Sequence, residues 1–207
     1  MSTAAPLPAA AAAAARHVIE WQRDGVRLRA EEPHEAEIAE SAPALAAFYN
    51  DPYNRAMMAN TTDLSATDVV EVWAEMRAAG GRPFLLFVDG ALAGDADLRG
   101  VEADRAEFAF MVGPRASQGR GLGTAFGVMV AAFAFRALGV ARLYASILPH
   151  NGASLRAFEK MGYDVDESDD ARACADEDDD VTVSIGRDAF EARHAEALRI
   201  IRIEERP

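Results

Sequence analysis

The chain has 207 residues, of which 50% are hydrophobic and 27% charged, and its formal net charge is −13 at pH 7. A chain of this length can bury the core of a single domain, and its acidic excess argues against a nucleic-acid partner, whose phosphates it would repel. No segment of about 20 residues is free of charged or polar groups, so the sequence predicts no membrane span.

The start of the chain is rich in alanine and contains two prolines, Pro6 and Pro8. Because a terminal alanine run has little to pack against, we expect residues 1–20 to be poorly ordered. The run Ala9–Ala15 is too weakly apolar for the core of a signal peptide, and no basic segment precedes it. The sequence therefore predicts a cytoplasmic protein.

The first part of the chain predicts a short strand followed by two helices. Residues Gly25–Ala30 alternate between apolar and polar side chains, which is typical of a strand. Glu35–Tyr49 carries apolar side chains at helical spacing, whereas Asp51–Ser65 is polar and rich in turn-forming residues. A serine or threonine cap then precedes a predicted helix over Asp68–Ala79.

Three predicted strands follow in quick succession: Pro83–Val88, Leu92–Leu98 and Arg105–Val112. Asp89 and Gly90 separate the first two, and this pair is a strong signal for a two-residue hairpin turn. We therefore expect an antiparallel meander.

The second half of the chain alternates between helices and strands. Thr124–Leu138 is almost wholly apolar, which predicts a buried helix, and Ala141–Leu148 predicts a strand. Asn151–Met161 predicts a helix opened by an asparagine cap and closed by a glycine. Two strands, the acidic run that joins them and an amphipathic helical tail complete the chain; they are Tyr163–Val165, Val181–Ile185, Asp166–Asp180 and Asp188–Glu204.

This order of elements predicts an α/β or α+β fold, with one layered domain and a mixed central sheet of about six to seven strands flanked by helices. It differs from the regular strand–helix alternation of a dinucleotide-binding domain. We expect three regions: the poorly ordered segment 1–20, a domain over 21–187, and a helical extension over 188–207 that packs on the domain.

The single cysteine, Cys174, excludes an intrachain disulfide and a cysteine-rich metal site. It lies among acidic residues, where a thiolate is electrostatically disfavoured, so we do not expect a nucleophile there. The acidic run Asp166–Asp180 lacks the spacing of a helix–loop–helix calcium site. The sequence predicts no metal site.

The run QGRGLG, Gln118–Gly123, stands directly before the buried helix. Glycines let the backbone approach an anion closely. The first amide N–H groups of a helix lack intrahelical partners and favour negative charge. Arg120 and Arg115 can add charge-assisted contacts. The run therefore predicts a phosphate-binding loop rather than a simple tight turn.

The spacing of the glycines excludes two common phosphate loops. A Walker loop needs a lysine after the glycines, and the dinucleotide fingerprint needs GxGxxG, whereas Gly119, Gly121 and Gly123 give GxGxG. A methyltransferase that uses S-adenosylmethionine carries GxGxG directly after its first strand, with more sheet to follow than this chain has left. The remaining pattern is Q-x-x-G-x-G.

Together with a second motif, this loop resembles the GNAT superfamily of acyl-CoA-dependent N-acyltransferases. The stretches that carry the likeness are EFAFMVGPRASQGRGLGTAFG and HNGASLRAFEKMGY. They match the family's Q/R-x-x-G-x-G/A pyrophosphate loop and its asparagine-led helix that ends in a glycine–aromatic pair; the matching residues are Gln118, Gly121, Gly123, Asn151, Ser154, Phe158, Gly162 and Tyr163. Within the superfamily the pattern is most similar to the ribosomal-protein N-terminal acetyltransferase branch.

The resemblance implies a GNAT-like fold in which the strand Arg105–Val112 splays from Ala141–Leu148. The pantetheine arm of acetyl-CoA would lie in the gap, against backbone groups of Met111, Val112 and Gly113. The pyrophosphate would sit on the amides of Gln118–Gly123. The full set of residues implied for the cofactor is Met111, Val112, Gly113, Gln118, Gly119, Arg120, Gly121, Leu122, Gly123, Thr124, Asn151 and Phe158.

For catalysis, an amine must lose a proton before it attacks a thioester, and the departing thiolate benefits from an acid. Glu107 stands where similar enzymes often place a carboxylate base, although it could equally be a surface charge, and His150 is a rival base. A strand N–H near Val112 can stabilise the oxyanion. Many relatives carry a tyrosine acid at the position of Phe158; here Ser154 is the candidate acid, or a hydrogen-bonding residue of the helix start.

The resemblance implies transfer of an acetyl group from acetyl-CoA to a primary amine, either a small molecule or a protein N-terminus, by direct attack in a ternary complex. The missing tyrosine leaves an alternative, a non-catalytic acyl-CoA-binding sensor of the same fold. The negative net charge suits a cationic amine, and the acidic run either steers such an acceptor or is a solvated loop. We expect no nucleic-acid or membrane partner, and the amphipathic tail is a candidate homodimer contact.

Overall fold

The computed structural model describes residues 15–58, 62–177 and 179–206. These residues form nine strands, numbered β1 (Arg16–Arg23), β2 (Val26–Glu31), β3 (Arg82–Val88), β4 (Ala91–Arg99), β5 (Arg105–Val112), β6 (Arg142–Ile147), β7 (Asp164–Val165), β8 (Val181–Gly186) and β9 (Arg202–Arg206). They also form seven helices, numbered α1 (Glu35–Asn50), α2 (Pro52–Met57), α3 (Ala66–Ala78), α4 (Leu122–Phe133), α5 (Gly152–Met161), α6 (Asp169–Arg172) and α7 (Arg187–Arg193), and a π-helical turn, Ala134–Leu138, continues α4. Within these ranges no helix is long and apolar enough to cross a membrane.

The nine strands pair in one sheet with the order β7-β8-β6-β5-β4-β3-β2-β1-β9. Neighbouring strands are antiparallel except β5 and β6, which run parallel. The predicted mixed sheet flanked by helices is therefore confirmed, with nine strands in place of the expected six to seven. The two additional strands, β1 and β9, lie side by side at one edge.

Strand β1 occupies part of the segment 1–20, which was predicted from the sequence to be poorly ordered. Residues 16–20 belong to this strand, so the ordered domain begins before residue 21, while residues 1–14 lie outside the described residues. Ile19 and Trp21 are buried and alternate with more exposed side chains. This alternation is a strand pattern, which the alanine-rich composition of the preceding residues obscured.

The C-terminal extension is helical only in its first part. After α7 and one turn of 3₁₀ helix, Ala197–Arg199, the chain forms β9, which pairs with β1. Ile203 lies opposite Ile19 in this pair, and β-branched residues favour strands. The predicted helix over Asp188–Glu204 is therefore wrong in its last part, because the open edge of β1 offers backbone partners that a surface helix would not have.

Turn and cap residues that the sequence predicts are present at several element boundaries. Asp89 and Gly90 have φ values of 49° and 85°, as a two-residue hairpin turn between β3 and β4 requires. The Ser65 hydroxyl caps α3 by accepting from the Asp68 N–H, and the Asp68 carboxylate accepts from the Ser65 N–H at 2.6 Å. The turn-rich stretch 51–65 differs from its prediction as a loop, since it contains the short helix α2.

Helices cover both faces of the sheet. Phe84 and Leu85 are neighbours in β3 and therefore point to opposite faces. Phe84 packs against Phe133 of α4, with ring centroids 5.2 Å apart, whereas Leu85 belongs to a second buried cluster with Leu45 of α1 and Trp73 of α3. Each fully buried side chain of this size contributes about 1.5–3 kcal/mol to folding. The two faces thus have separate cores, one under α4 and one under α1 and α3.

The parallel strands β5 and β6 pair only at their first residues. Backbone pairing joins residues 105–107 to residues 142–144 and ends there, although β5 continues to Val112 and β6 to Ile147. The predicted splay of the central strands is therefore present. The gap leaves backbone groups of β5 without a strand partner on that side, and such groups need another hydrogen-bond partner, such as a ligand or water.

Arg206 ties β9 to α1. Its guanidinium donates to both carboxylate oxygens of Glu37, at 2.6 and 3.0 Å, and to the Glu32 carbonyl oxygen at 2.9 Å. This hydrogen bonding lowers the pKa of Glu37 from 4.5 to about 2. A carboxyl group whose pKa falls on folding stabilises the protein above its ordinary pKa, and this contribution is lost as the pH falls from about 4.5 to about 2.

We expect Arg206→Met to lower the free energy of unfolding by about 1 kcal/mol at neutral pH, because solvent screens the partly exposed Glu37. The difference from wild type should shrink as the pH falls toward 2, where Glu37 becomes protonated. Urea unfolding at several pH values measures this difference, with Arg202→Met on the exposed side of β9 as the control. An equal loss of stability at every pH would contradict the assignment.

Candidate functional site

Two glycines shape the loop before α4 for different reasons. Gly121 is the N-cap of α4 and has a φ of 80°, a left-handed conformation that other residues adopt at a cost. Gly123 requires the absence of a side chain, because a Cβ there would lie 2.7 Å from the Phe110 ring. Together they bring the start of the helix directly against β5.

A cleft of about 600 Å³ opens beside this loop, and we call it the central cleft. Its walls come from α2, the second half of β5, the glycine loop, the start of α4 and one face of α5. Ala125 donates the first helical hydrogen bond of α4, to the Gly121 carbonyl oxygen. The N–H groups of residues 122–124 therefore lack partners within the helix, and all three residues line the cleft.

The backbone of β5 presents alternate residues to the gap beside β6. The Gly113 N–H donates to the Ala93 carbonyl oxygen of β4 at 2.9 Å. Because alternate residues of an antiparallel strand bond to the same neighbour, Met111 and Gly113 direct their peptide groups to β4. Phe110 and Val112 direct theirs to the gap. Of the three residues implied for pantetheine, only Val112 thus directs its backbone there, and it offers its N–H alone because its carbonyl oxygen accepts from Gln118 Nε2. Met111 also lines the cleft.

Nine of the twelve residues implied for the cofactor line the central cleft; they are Met111, Val112, Gln118, Gly119, Gly121, Leu122, Gly123, Thr124 and Asn151. The other three do not line it. Gly113 pairs with β4, Arg120 is exposed, and Phe158 is buried beside the cleft, where its ring contacts those of Phe110 and Tyr163. Phe158 therefore packs behind Phe110, which lines the cleft, and does not line the cleft itself.

Three cationic side chains line the central cleft, and only Arg115 among them was predicted from the sequence to contact the phosphates. Arg156 and Lys160 are exposed on α5 and four residues apart, a spacing that places both on one face of the helix. That spacing was visible in the sequence and could have revealed the pair. Their charges attract an anion into one region of an otherwise acidic protein.

Helix α2 forms a wall of the cleft that the sequence did not predict. Tyr53 and Asn54 line the cleft from this helix. The Arg115 guanidinium lies 3.5 Å from the centre of the Tyr53 ring, and the Gln118 amide donates to Asn54 Oδ1 at 2.7 Å. No local pattern could have linked Asn54 to the glycine loop, because 64 residues separate Asn54 from Gln118.

The second motif holds the start of α5. Asn151 is its N-cap and accepts from the Ser154 N–H at 3.0 Å, and Ser154 itself lines the cleft. His150, the rival to Glu107 as base, is exposed, with Nε2 3.0 Å from the Ala56 carbonyl oxygen. Within the described chain the Tyr163 hydroxyl is buried without a hydrogen-bond partner, and burial raises its pKa, so it is a poor proton donor.

Three carboxylates surround one guanidinium on the face of the sheet that α1 and α3 cover. Arg99 lies 2.5 Å from Glu107, 3.0 Å from Asp97 and 3.8 Å from Asp176. Arg99 and Glu107 are opposite each other in β4 and β5, so their side chains share this face. We call Asp97, Glu107 and Asp176 the carboxylate cluster. Glu107 also belongs to the last residue pair that joins β5 to β6, at the closed end of the gap.

Two members of the carboxylate cluster, Glu107 and Asp97, hold protons more tightly than isolated carboxyl groups do. Burial raises the pKa of Glu107 from 4.5 to about 7 and that of Asp97 from 3.8 to about 6, although Arg99 opposes both shifts. The Asp176 charge raises the pKa of Glu107 further. A carboxyl group with a pKa near neutrality is suited to take a proton from a reacting amine.

Asp95 extends this acidic face along β4. Its Oδ2 accepts from the Tyr49 hydroxyl at 2.5 Å, whereas its Oδ1 is buried with no hydrogen-bond partner among the described residues. Burial raises the pKa of Asp95 to about 7. Asp95 lies opposite Met111 of β5, so the row of carboxyl groups continues from Glu107 to the level of the cleft.

The acidic run folds back onto the sheet. The Ser146 hydroxyl of β6 donates to Asp180 at 2.6 Å and accepts from the Asp176 N–H at 3.0 Å. These bonds bring Asp176 to the carboxylate cluster. Burial raises the pKa of the Cys174 thiol in the same run, which disfavours a thiolate. In the described part of the chain, no group of three or more histidine, cysteine or carboxylate residues is placed to hold a metal ion.

Comparison with known proteins places these features in one family. A family model described as an acetyltransferase (GNAT) domain matches residues 26–164, a range that contains the glycine loop, the second motif and both sides of the central cleft. A search of curated protein sequences finds no significant match.

Solved structures share the fold at low sequence identity. RimJ of Mycobacterium smegmatis in complex with CoA-disulfide has a TM-score of 0.70 at 17% identity, covering 89% of this chain and 95% of that one. The aminoglycoside acetyltransferase AAC(6')-Ib in complex with coenzyme A has a TM-score of 0.66 at 17% identity, covering 80% and 98%. The N-acetyltransferase PseH of Campylobacter jejuni has a TM-score of 0.55 at 13% identity, covering 78% and 98%.

Proposed function

The chain belongs to the GNAT acetyltransferase family, and from this premise we propose that it transfers an acetyl group from acetyl-CoA to a primary amine by direct attack in a ternary complex. Members of the family are N-acetyltransferases with acetyl-CoA as the donor. The observation that carries the proposal is the central cleft, where unpaired helix-start N–H groups, three cationic side chains and an open strand edge converge.

In this proposal the phosphates of acetyl-CoA bind at the start of α4. The N–H groups of residues 122–124 and the positive end of the helix dipole favour a pyrophosphate there. Arg115, Arg156 and Lys160 line the same cleft and would add charge-assisted hydrogen bonds to phosphate oxygens. The acidic remainder of the protein makes this group of cations a selective site for an anionic ligand.

The pantetheine arm would continue from the phosphates into the gap between β5 and β6. Phe110 directs its backbone groups to this gap, and Val112 directs its N–H there, while the Val112 carbonyl oxygen accepts from Gln118. An extended amide-containing chain can pair with such an edge as a missing strand would. The acetyl group then lies toward the closed end of the gap, where Glu107 stands. The acceptor would approach from the face of the sheet that carries the carboxylate cluster.

The chemistry follows from this arrangement. Glu107 accepts a proton from the ammonium form of the acceptor, directly or through water, and the neutral amine attacks the thioester carbonyl carbon. A β5 N–H that faces the gap between Glu107 and Val112, such as that of Phe110, donates to the oxyanion that forms. The C–S bond then breaks, and the second proton of the amine nitrogen passes to the coenzyme A thiolate. Ser154, at the edge of the cleft, is our candidate donor: its hydroxyl would give its proton to the thiolate and take up the one that the nitrogen loses, while Glu107 returns its own proton to solvent. Phe158 has no proton to give.

The acceptor that suits this face carries a positive charge besides its reacting amine. In the described part of the chain Arg99 is the only cationic side chain within 4 Å of the cluster's three carboxylates. A second ammonium group beside Asp97 would reduce this imbalance of charge, and the overall charge of −13 would steer a cation toward the protein. A small diamine and a basic peptide with a free N-terminus both carry a reacting amine and a second positive charge.

A panel of amines with acetyl-CoA, monitored by the release of free thiol, tests the proposed function. It should contain small monoamines, small diamines and short peptides with free N-termini. We expect turnover with at least one amine and no thiol release without an acceptor. Binding of coenzyme A without turnover on any amine would favour the non-catalytic sensor, for which the phenylalanine at position 158 is the motivating observation.

Asp97→Asn tests the charge of the acceptor. We expect the KM for putrescine to rise about 10-fold, the usual effect of one lost charge-assisted hydrogen bond, while the KM values for butylamine and acetyl-CoA stay unchanged. Steady-state kinetics with both amines measure this contrast. Asp104→Asn, an exposed change of equal charge, is the control. Equal effects of Asp97→Asn on both amines would remove Asp97 from acceptor recognition.

A further inference from the structure

Asn54 is a buried amide whose hydrogen bonds join three separate segments. It is 3% exposed, and its Nδ2 donates to the Phe48 carbonyl oxygen at 3.0 Å and to the Gly113 carbonyl oxygen at 2.9 Å. Its Oδ1 accepts from Gln118 Nε2 at 2.7 Å. A buried amide is tolerated because all its polar atoms are paired. Asn54 therefore fixes the end of α1, the end of β5 and the glycine loop relative to one another.

The side chain of Gln118, the first residue of the pyrophosphate motif, is committed to the protein itself. Besides Asn54, its Nε2 donates to the Val112 carbonyl oxygen at 2.8 Å, and its Oε1 accepts from Arg115. Both amide hydrogens are thus used within the protein. The side chain of Gln118 therefore links the glycine loop to β5, and Asn54 is one of its hydrogen-bond partners.

The other side of the central cleft is attached to the same helix. Carbonyl groups at the C-terminus of a helix lack intrahelical donors, and two of those in α2 find donors before α5. His150 Nε2 lies 3.0 Å from the Ala56 carbonyl oxygen, and Asn151 Nδ2 donates to the Met57 carbonyl oxygen at 2.9 Å. Helix α2 therefore contacts both signature motifs, and Asn54 is its buried attachment to the glycine loop.

We propose that Asn54 is a positioning residue for acetyl-CoA: it sets the spacing between the strand edge that receives pantetheine and the loop that receives the pyrophosphate. This inference rests on the proposed placement of the cofactor. A ligand that must reach two sites at once binds tightly only if their separation is held beforehand, because otherwise binding must order them. Asn54 acts through Gly113 and Gln118 and does not act on the substrate.

Asn54→Ala, compared with Asn50→Ala, tests the proposal. Asn50 is the last residue of α1, and its amide also bonds to backbone, donating to the Leu64 carbonyl oxygen at 2.8 Å and accepting from the Leu64 N–H at 2.9 Å. It does not touch the glycine loop. We expect Asn54→Ala to weaken coenzyme A binding about 30-fold by calorimetry and to raise the KM for acetyl-CoA. Asn50→Ala should leave both unchanged.

Binding measurements with the two halves of coenzyme A distinguish a positioning role of Asn54 from a general loss of structure. The phosphorylated ADP half would contact only the glycine loop, and pantetheine alone would contact only the β5 edge. Asn54→Ala should therefore change the affinity for each half by less than about 3-fold. The double variant Asn54→Ala, Gln118→Leu should lose less affinity than the sum of the two single losses, since both single changes break the same Asn54–Gln118 hydrogen bond. An equal loss for whole and half ligands would overturn the proposal.

Two further outcomes keep the inference distinct from the proposed function. If wild-type protein does not bind coenzyme A, the proposed function fails. If wild type binds and Asn54→Ala binds as tightly as Asn50→Ala, only the positioning role fails. Should Asn54→Ala not fold, Gln118→Leu breaks the same link from the half-buried side of the loop and must show the same selective loss for whole coenzyme A.

Discussion

Gly121→Leu should reduce the affinity for coenzyme A by at least about 1000-fold, or about 4 kcal/mol. Two physical effects combine in this loss. A leucine at a φ of 80° strains the backbone that presents the helix-start N–H groups, and its side chain enters the space proposed for the pyrophosphate. The fold should survive, because a Cβ at Gly121 meets no other atom within 4 Å. Titration calorimetry with coenzyme A measures the affinity.

Gly139→Leu is the matched control for this variant. Gly139 follows the same helical segment at its other end, has a φ of 77°, and likewise has no atom within 4 Å of an added Cβ. Both variants therefore carry the same strain, about 1–2 kcal/mol, and should lower the melting temperature equally. Only Gly121→Leu should lose affinity for coenzyme A. Unchanged affinity in Gly121→Leu would remove the phosphate-loop assignment.

Glu107→Gln should lower kcat by about 100-fold to 10,000-fold, the range expected for loss of a general base. In wild type, kcat/KM should fall below a pH of about 7, because Glu107 must be deprotonated to accept a proton and its pKa is raised to about 7. The variant should lose this acidic limb. Glu102→Gln, an exposed change just before β5, should keep the wild-type profile. A wild-type rate and pH profile in Glu107→Gln would exclude Glu107 as the base.

The same variant should be more stable than wild type at alkaline pH. Folding raises the pKa of Glu107 from 4.5 to about 7, so between these values the folded protein retains a proton that the unfolded chain has released. Stability therefore falls as the pH rises through this window. Glutamine removes that penalty, and the gain in melting temperature should be full above a pH of about 7. Loss of activity with gain of stability separates a catalytic role from a structural one.

The cofactor loop could be predicted from the sequence because its determinants are local. The positive φ of Gly121, the small side chain at Gly123 and the start of a buried helix all fall within a few residues. The asparagine cap of α5 is equally local. The catalytic candidate Glu107 was identified only through a family resemblance, since one glutamate in a strand pattern does not distinguish a base from a surface charge.

The remaining features depend on contacts between residues far apart in the chain. The last strand became β9 because β1, more than 170 residues earlier, offers an open edge. The pKa of Glu107 is raised by burial and by Asp176 from the acidic run, and Asn54 reaches Gln118 across 64 residues. Local patterns thus determined the elements and the glycine loop. Only tertiary structure decided which side chains meet at the site, because burial and charge–charge distances exist only after distant segments have packed together.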